Sequence, residues 1–231
     1  MPERSRDWVW GAAGLAALIA VILVLAPPPS QLATDVRLST LRTTPDGAGA
    51  LFGMLEELGI PVDRRLTPLA GADEIRGPLA VLDPTEWLSP SEVDSLLSWV
   101  ESGGRLILAA PPGHITDRLG VFVRAPSDSA LEAASDHPWT ANLGPLAAAH
   151  RVFRPDPRQD IRLEPLVVGP DGGPAVALLR RGAGEILLIS RGSLLANGRI
   201  RASGLAPVIA RAAADWTADG DTLRFDEYHH G

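Results

Sequence analysis

The chain has 231 residues, a formal net charge of −7, 45% hydrophobic residues and no cysteine. The missing thiols exclude disulfides, thiolate catalysis and Cys-ligated zinc. All 21 basic residues are arginine and form no basic stripe, so nucleic acid is not an expected partner.

Trp8–Ala26 reads WVWGAAGLAALIAVILVLA, nineteen residues without a charge. About 20 apolar residues span the hydrocarbon core of a bilayer, and Trp8 and Trp10 suit its interface. A cleaved signal peptide has a shorter apolar core, about 7–15 residues, followed by a small-residue site. Here Pro27–Pro29 follow directly and no A-x-A precedes them, so residues 8–26 are expected to be an uncleaved transmembrane helix. Arg4 and Arg6 precede the segment and the next arginine is Arg37. Residues 1–7 are therefore expected in the cytoplasm and the rest outside it, in a single-pass cell-membrane protein.

Residues 27–34 read as an extended, proline-led spacer, and 35–231 as one α/β domain. TPDGAGALFGMLEELG (44–59) places Leu51, Leu55 and Leu58 at helical spacing before Gly59. IPVDRRL (60–66) is expected to be an edge strand, because Pro61 cannot donate to a ladder. PLAVLDP (78–84) is a buried strand entering a turn. In LSPSEVDSLLSWVESGG (88–104), Ser89 as N-cap, Pro90 at N1 and Glu92 at N3 write a capping box. Val93, Leu96, Leu97 and Val100 give that helix its apolar stripe. RLILAAPPG (105–113) is again a strand entering a turn, and the strand–helix–strand order predicts right-handed crossovers and a parallel pairing of 79–83 with 105–110.

Residues 114–160 have no clear periodicity beyond a helix-like ITDRLG and a strand-like VFVR. Strands return with IRLEPLVVG, GPAVALLRRGAG and EILLIS, joined at hairpin turns 169–174 and 181–184. A helix over 204–216 and a final strand through TLRFDEYHH complete the pattern. The expected fold is a three-layer α/β domain with a mostly parallel sheet, of amidotransferase or flavodoxin-like type.

PDGAGALFGMLEELGIPV, LSPSEVDSLLSWVESGGRLILA and the closing FDEYHHG resemble the bacterial family called domain of unknown function 4350. The resemblance implies a membrane protein whose glutamine-amidotransferase-like domain lies between two transmembrane segments; this chain stops at Gly231, so it is expected either to be a fragment that lacks the second span or to have lost that anchor. It also implies a link to MoxR-type ATPase systems as protein partners. The cysteine nucleophile of an amidotransferase is missing, and AAPPGH offers prolines and His114 at the corresponding turn, which excludes glutamine hydrolysis by that route.

Ligands of open parallel α/β sheets bind at the carboxyl ends of the strands. There the sequence places Thr44 and Asp46 before the first helix, Asp83, His114, Ser193 and Asn197, and the terminal cluster Asp226, Glu227, Tyr228, His229 and His230. If the last strand runs through the cluster, Glu227 and His229 share one face and lie roughly 6.6–6.8 Å apart along the strand. They could then act as an acid/base pair or ligate zinc or manganese with a third group such as His114 or Asp83. Alternatively the cluster is a satisfied structural network. Two readings follow: a non-catalytic domain that binds a ligand or protein without a cofactor, or a metal-dependent hydrolase. The run TTPDGAG favours plain N-capping by Thr44 or Asp46 over an anion site, since it lacks nucleotide-binding glycine spacing.

Overall fold

A computed structural model describes residues 38–69, 71, 75–109, 113–124, 130–134, 137–146 and 151–231, with the side chain of His114 excepted. They all belong to one unit, Arg37–Gly231. The apolar segment 8–26 and the spacer lie outside the described residues. Among those residues, no helix is long and apolar enough to cross a membrane.

The sheet contains eight strands: β1 (Val62–Arg65), β2 (Leu79–Leu82), β3 (Arg105–Ala109), β5 (Glu132–Ala133), β7 (Leu163–Val168), β8 (Pro174–Arg181), β9 (Gly184–Ile189) and β10 (Leu223–Asp226). Their spatial order is β1-β10-β2-β3-β9-β8-β7-β5. A separate antiparallel pair joins β4 (Val121–Arg124) to β6 (Val152–Pro155). Neighbours from β1 through β9 in that order run parallel, and the β9-β8-β7-β5 side is antiparallel. The predicted pairing is present, with Leu79 opposite Leu106 and Leu82 opposite Ala109. The sheet is thus mixed rather than uniformly parallel, because the short turns at 169–174 and 181–184 permit only hairpins.

Period-two alternation divides the core between the two faces. Ala80 and Leu82, Ile107 and Ala109, and Leu187 and Ile189 pack with helix α1 (Gly49–Glu57) and helix α5 (Ala206–Trp216). Leu79 and Val81, Leu106 and Leu108, and Ile186 and Leu188 pack with α2 (Pro90–Glu101) and α3 (His114–Arg118). A short helix, α4 (Ile200–Ser203), precedes α5. Helices therefore cover both faces of the parallel strands, which explains why β2, β3 and β9 read as continuous apolar runs.

The capping box of α2 forms as the sequence predicts. Ser89 Oγ accepts from Glu92 N at 3.3 Å, and Glu92 Oε2 accepts from Ser89 N at 2.9 Å. Helix α1 is shorter than 44–59, because Pro45–Gly47 turn on themselves and the helix starts only after Ala48. Leu58, expected on its apolar stripe, falls beyond the last turn and is 60% exposed. Leu55→Ala should therefore cost about 2–5 kcal/mol, and Leu58→Ala should stay within about 0.5 kcal/mol. Denaturant unfolding of the two variants checks the contrast.

Candidate functional site

The carboxyl edge of the parallel strands collects most of the predicted polar residues, but in two groups. The first forms where β10 ends. The strand stops at Asp226; Glu227 has a helical backbone, and Tyr228–His230 form one 3₁₀ turn. Glu227 and His229 consequently do not share a strand face, which corrects the expectation from alternation. Their partners differ too. Glu227 is buried and accepts from Ser39 Oγ at 2.5 Å, from Thr40 N at 2.7 Å and from Thr40 Oγ1 at 2.6 Å. Arg64 Nε donates to the same Thr40 hydroxyl at 2.8 Å while its guanidinium stacks 3.7 Å over the Phe52 ring.

His229 is held between two carboxylates. Its Nδ1 lies 2.7 Å from Asp226 Oδ2 and its Nε2 lies 3.2 Å from Glu92 Oε1. Burial alone would lower the His229 pKa, but the hydrogen bond and charge of Asp226, joined by Glu92, reverse this and raise it above its ordinary value. Burial would likewise raise Glu92; the Ser89 amide and hydroxyl, the His229 charge and the Leu69 amide together lower it instead. The backbone carbonyl of His229 accepts from both Thr85 and Glu86 N–H groups at 2.9 Å. One histidine thus ties the end of β10 to the first turn of α2 and to the loop after β2. Beside it, Phe225 is buried edge-on against Phe52, with ring centroids 5.5 Å apart. The terminal stretch is ordered structure, not a solvated tail.

A cleft of about 380 Å³ opens next to these networks, lined by Ser39, Leu41, Leu66, Glu86, Glu227, Tyr228, His230 and Gly231. Leu41, Leu66 and Tyr228 are exposed on its rim. Ser39, Thr40 and Arg64 carry no motif, so sequence reasoning missed them. Glu92 was visible only as a capping residue; nothing local signals its second role with His229, 137 residues away.

The remaining candidates separate from this group. Asn197 is a structural cap: its Oδ1 accepts from Ala50 N at 2.7 Å, and its Nδ2 donates to the carbonyls of Arg42 and Thr44 at 3.0 and 2.7 Å. It does for α1 what Thr44 or Asp46 was expected to do; the N-cap itself, Ala48, offers no side-chain oxygen. Asp46 instead bonds with Thr44, which with its own backbone amide and Arg42 holds its carboxyl below the usual value. β10 does run parallel to β9, but β2 and β3 lie between them, so the cluster gains neither Ser190 nor Asn197 as a partner. Asp83 follows β2 and Ser193 follows β9, and among the described residues neither side chain bonds to Glu227. The side chain of His114 lies outside the described residues. Among the described residues, no three His, Asp or Glu side chains are placed to hold a metal ion.

The family model described as Domain of unknown function (DUF4350) matches residues 40–223. Among curated proteins, none matches this chain. In fold, the chain is similar to a cytoplasmic protein, STM1381, of Salmonella typhimurium LT2, at 13% identity and a TM-score of 0.55, over 74% of this chain and 87% of that one. It is similar to a protein described as thua-like from Bacteroides uniformis ATCC 8492, at 17% identity and a TM-score of 0.50, over 75% and 84%. The exo-beta-1,4-mannosidase Op5Man5 from Opitutaceae bacterium strain TAV5 is matched over 66% of this chain but only 26% of its own length, at 22% identity and a TM-score of 0.37. These likenesses concern the fold alone.

The His229 clamp makes stability pH-dependent in a defined direction. A raised histidine contributes fully below its ordinary value of 6.5, and that contribution is lost as pH rises through the raised one. A lowered Glu92 contributes above its ordinary 4.5 and is lost as pH falls through the lowered one. Wild-type stability should therefore decline on both sides, and His229→Ala should abolish the alkaline decline. That substitution leaves the buried Asp226 carboxylate and the partly buried Glu92 without their histidine partner and should cost roughly 3–5 kcal/mol. Denaturant titrations across pH provide the measurement.

Proposed function

The chain belongs to the family described as Domain of unknown function (DUF4350), and from that premise we propose that it is a membrane-anchored, non-catalytic binding component of a bacterial envelope assembly. Residues 8–26 are its anchor, and an amidotransferase- or flavodoxin-like domain projects outside the cytoplasm. The carrying observation is the cleft beside β10. Its floor contains Glu227, whose oxygens are taken up by Ser39 and Thr40, while Leu41, Leu66 and Tyr228 stand exposed on its rim. An acid/base or metal mechanism needs polar atoms left open to a substrate. Here those of Glu227 and His229 serve internal bonds, and the exposed rim joins the apolar and aromatic Leu41, Leu66 and Tyr228 to a single carboxylate, Glu86, a mixture that suits a protein contact. A protein partner, such as a component of a MoxR-type ATPase system, fits that rim.

A photoreactive phenylalanine placed at Tyr228 of the full chain in cells should give one discrete cross-linked adduct, and the same group at exposed Phe122 on the β4–β6 pair should give none. Leu41→Glu should abolish the adduct without changing the melting temperature by more than a few degrees. Equal adducts at both positions, or none at Tyr228, would remove the cleft from this role. Separately, a reporter fused after Gly231 that is active only in the cytoplasm would overturn the proposed orientation.

A further inference from the structure

The second polar group at the carboxyl edge is unused by the reading above. Asp83 follows β2 with φ +51°, one of two non-glycine residues with positive φ among the described residues. A non-glycine residue held in that region points to a local demand on the backbone. Its N–H bonds the carbonyl of Ala109 at the end of β3. Its side chain lies against Gly192, where a Cβ would come within 2.6 Å of Asp83 Cβ and 2.7 Å of Oδ2. Only glycine permits this approach, so the loop after β9 is pressed onto Asp83.

That loop carries Arg191, and Ser190 Oγ donates to the Arg151 carbonyl at 2.7 Å, which brings Arg151 to the same edge. Burial raises the Asp83 pKa above its ordinary value, and the charges of Arg151 and Arg191 offset this only in part. Yet among the described residues neither guanidinium makes a hydrogen bond or an ion pair within 4 Å, and the Asp83 carboxylate makes none either. Polar groups held beyond direct hydrogen-bond reach can be joined by a bridging water or ligand group. Ser193 Oγ, one residue past Gly192, is buried and also lacks a hydrogen-bond partner among the described residues.

The topology marks this place independently. The next described helix in sequence after β3 is α3, where Ile115 and the following Leu119 pack on the α2 side of the sheet. After β9 the chain passes to Leu194 and Leu195, which pack on the α1 and α5 side. Adjacent parallel strands whose connections leave toward opposite faces form a switch point, where open α/β sheets bind ligands. We propose that Asp83, Arg151 and Arg191 form a binding site at the β3–β9 switch point for a small dipolar ligand, one carrying a carboxylate beside an ammonium or hydroxyl group. The guanidiniums take the carboxylate, which suits their planar fork. Asp83 accepts from the neighbouring donor and is the group that distinguishes such a ligand from a plain carboxylate.

The test is titration of the purified full chain with glycine, L-serine and acetate, followed by calorimetry. Glycine or L-serine should bind saturably and more tightly than acetate. Arg191→Gln should weaken that binding by roughly ten-fold or more, as loss of a charge-assisted bond does. Asp83→Asn, which keeps a residue tolerant of positive φ, should weaken glycine and L-serine but not acetate. Melting curves without ligand should be alike for all three proteins; if Arg191→Gln unfolds, Arg191→Lys replaces it and should still weaken binding. Absence of saturable binding by the wild type, acetate bound as tightly as glycine and L-serine, or variants that bind all three as the wild type does, would each overturn the assignment. Because this site shares no residue with the Tyr228 cleft, its failure leaves the partner-binding reading standing, and the reverse holds too.

Discussion

β10 is the last strand in sequence and the second in the sheet, and β1 joins the sheet only through it. A strand of four residues inserted there needs more than ladder bonds to hold its end. The buried His229, gripped by Asp226 and Glu92, provides that hold. It converts the cluster at the end of β10 from exposed chemistry into a clamp between the sheet, the α2 N-terminus and the loop after β2. Glu227 makes the matching connection on the other side, to Ser39 and Thr40. Removing water from such groups is costly unless they find hydrogen-bonding partners, and here most of those partners come from segments far apart in sequence.

The cleft is a consequence of the same clamp. With the Tyr228–His230 turn drawn inward by His229, the side chain of Tyr228 faces outward and joins Leu41 and Leu66 on the rim. Affinity at that rim would come from apolar contact, while the polar floor fixes its shape. The Asp83 group differs in kind: its charges are close but unjoined, and the backbone around it is under the constraint of a positive φ and an obligatory glycine. One edge of one sheet thereby carries a network joined by hydrogen bonds and a group whose charges stay unjoined.

The fold was largely legible where short-range rules govern it. The Ser89–Glu92 capping box, the apolar runs of β2 and β3, and the edge position of β1 all follow from residues within a turn or a strand of each other. The hairpins of β7, β8 and β9 announced themselves through Gly-rich turns, and they account for the antiparallel half. The site was legible in location but not in wiring. Alternation carried the last strand through His230, whereas the bonds from His229 to Glu92 and from Glu227 to Thr40 favour a turn, and those partners are 137 and 187 positions away. Asn197 shows the same limit: a residue from the loop after β9 caps α1, and no local pattern at Pro45–Ala48 could reveal it. Cross-sheet order, which placed β10 beside β1 rather than β9, also depends on which helix covers which face.

Nitrogen-15 NMR of the His229 ring tests the clamp most directly. Titrated from acid to alkaline pH in the intact chain, both ring nitrogens should remain protonated above the ordinary histidine value of 6.5, with both ring protons protected from exchange. A His229 ring that loses its proton at or below that value, or exchanges as an exposed histidine does, would contradict the clamp and with it the structural role of the terminal cluster.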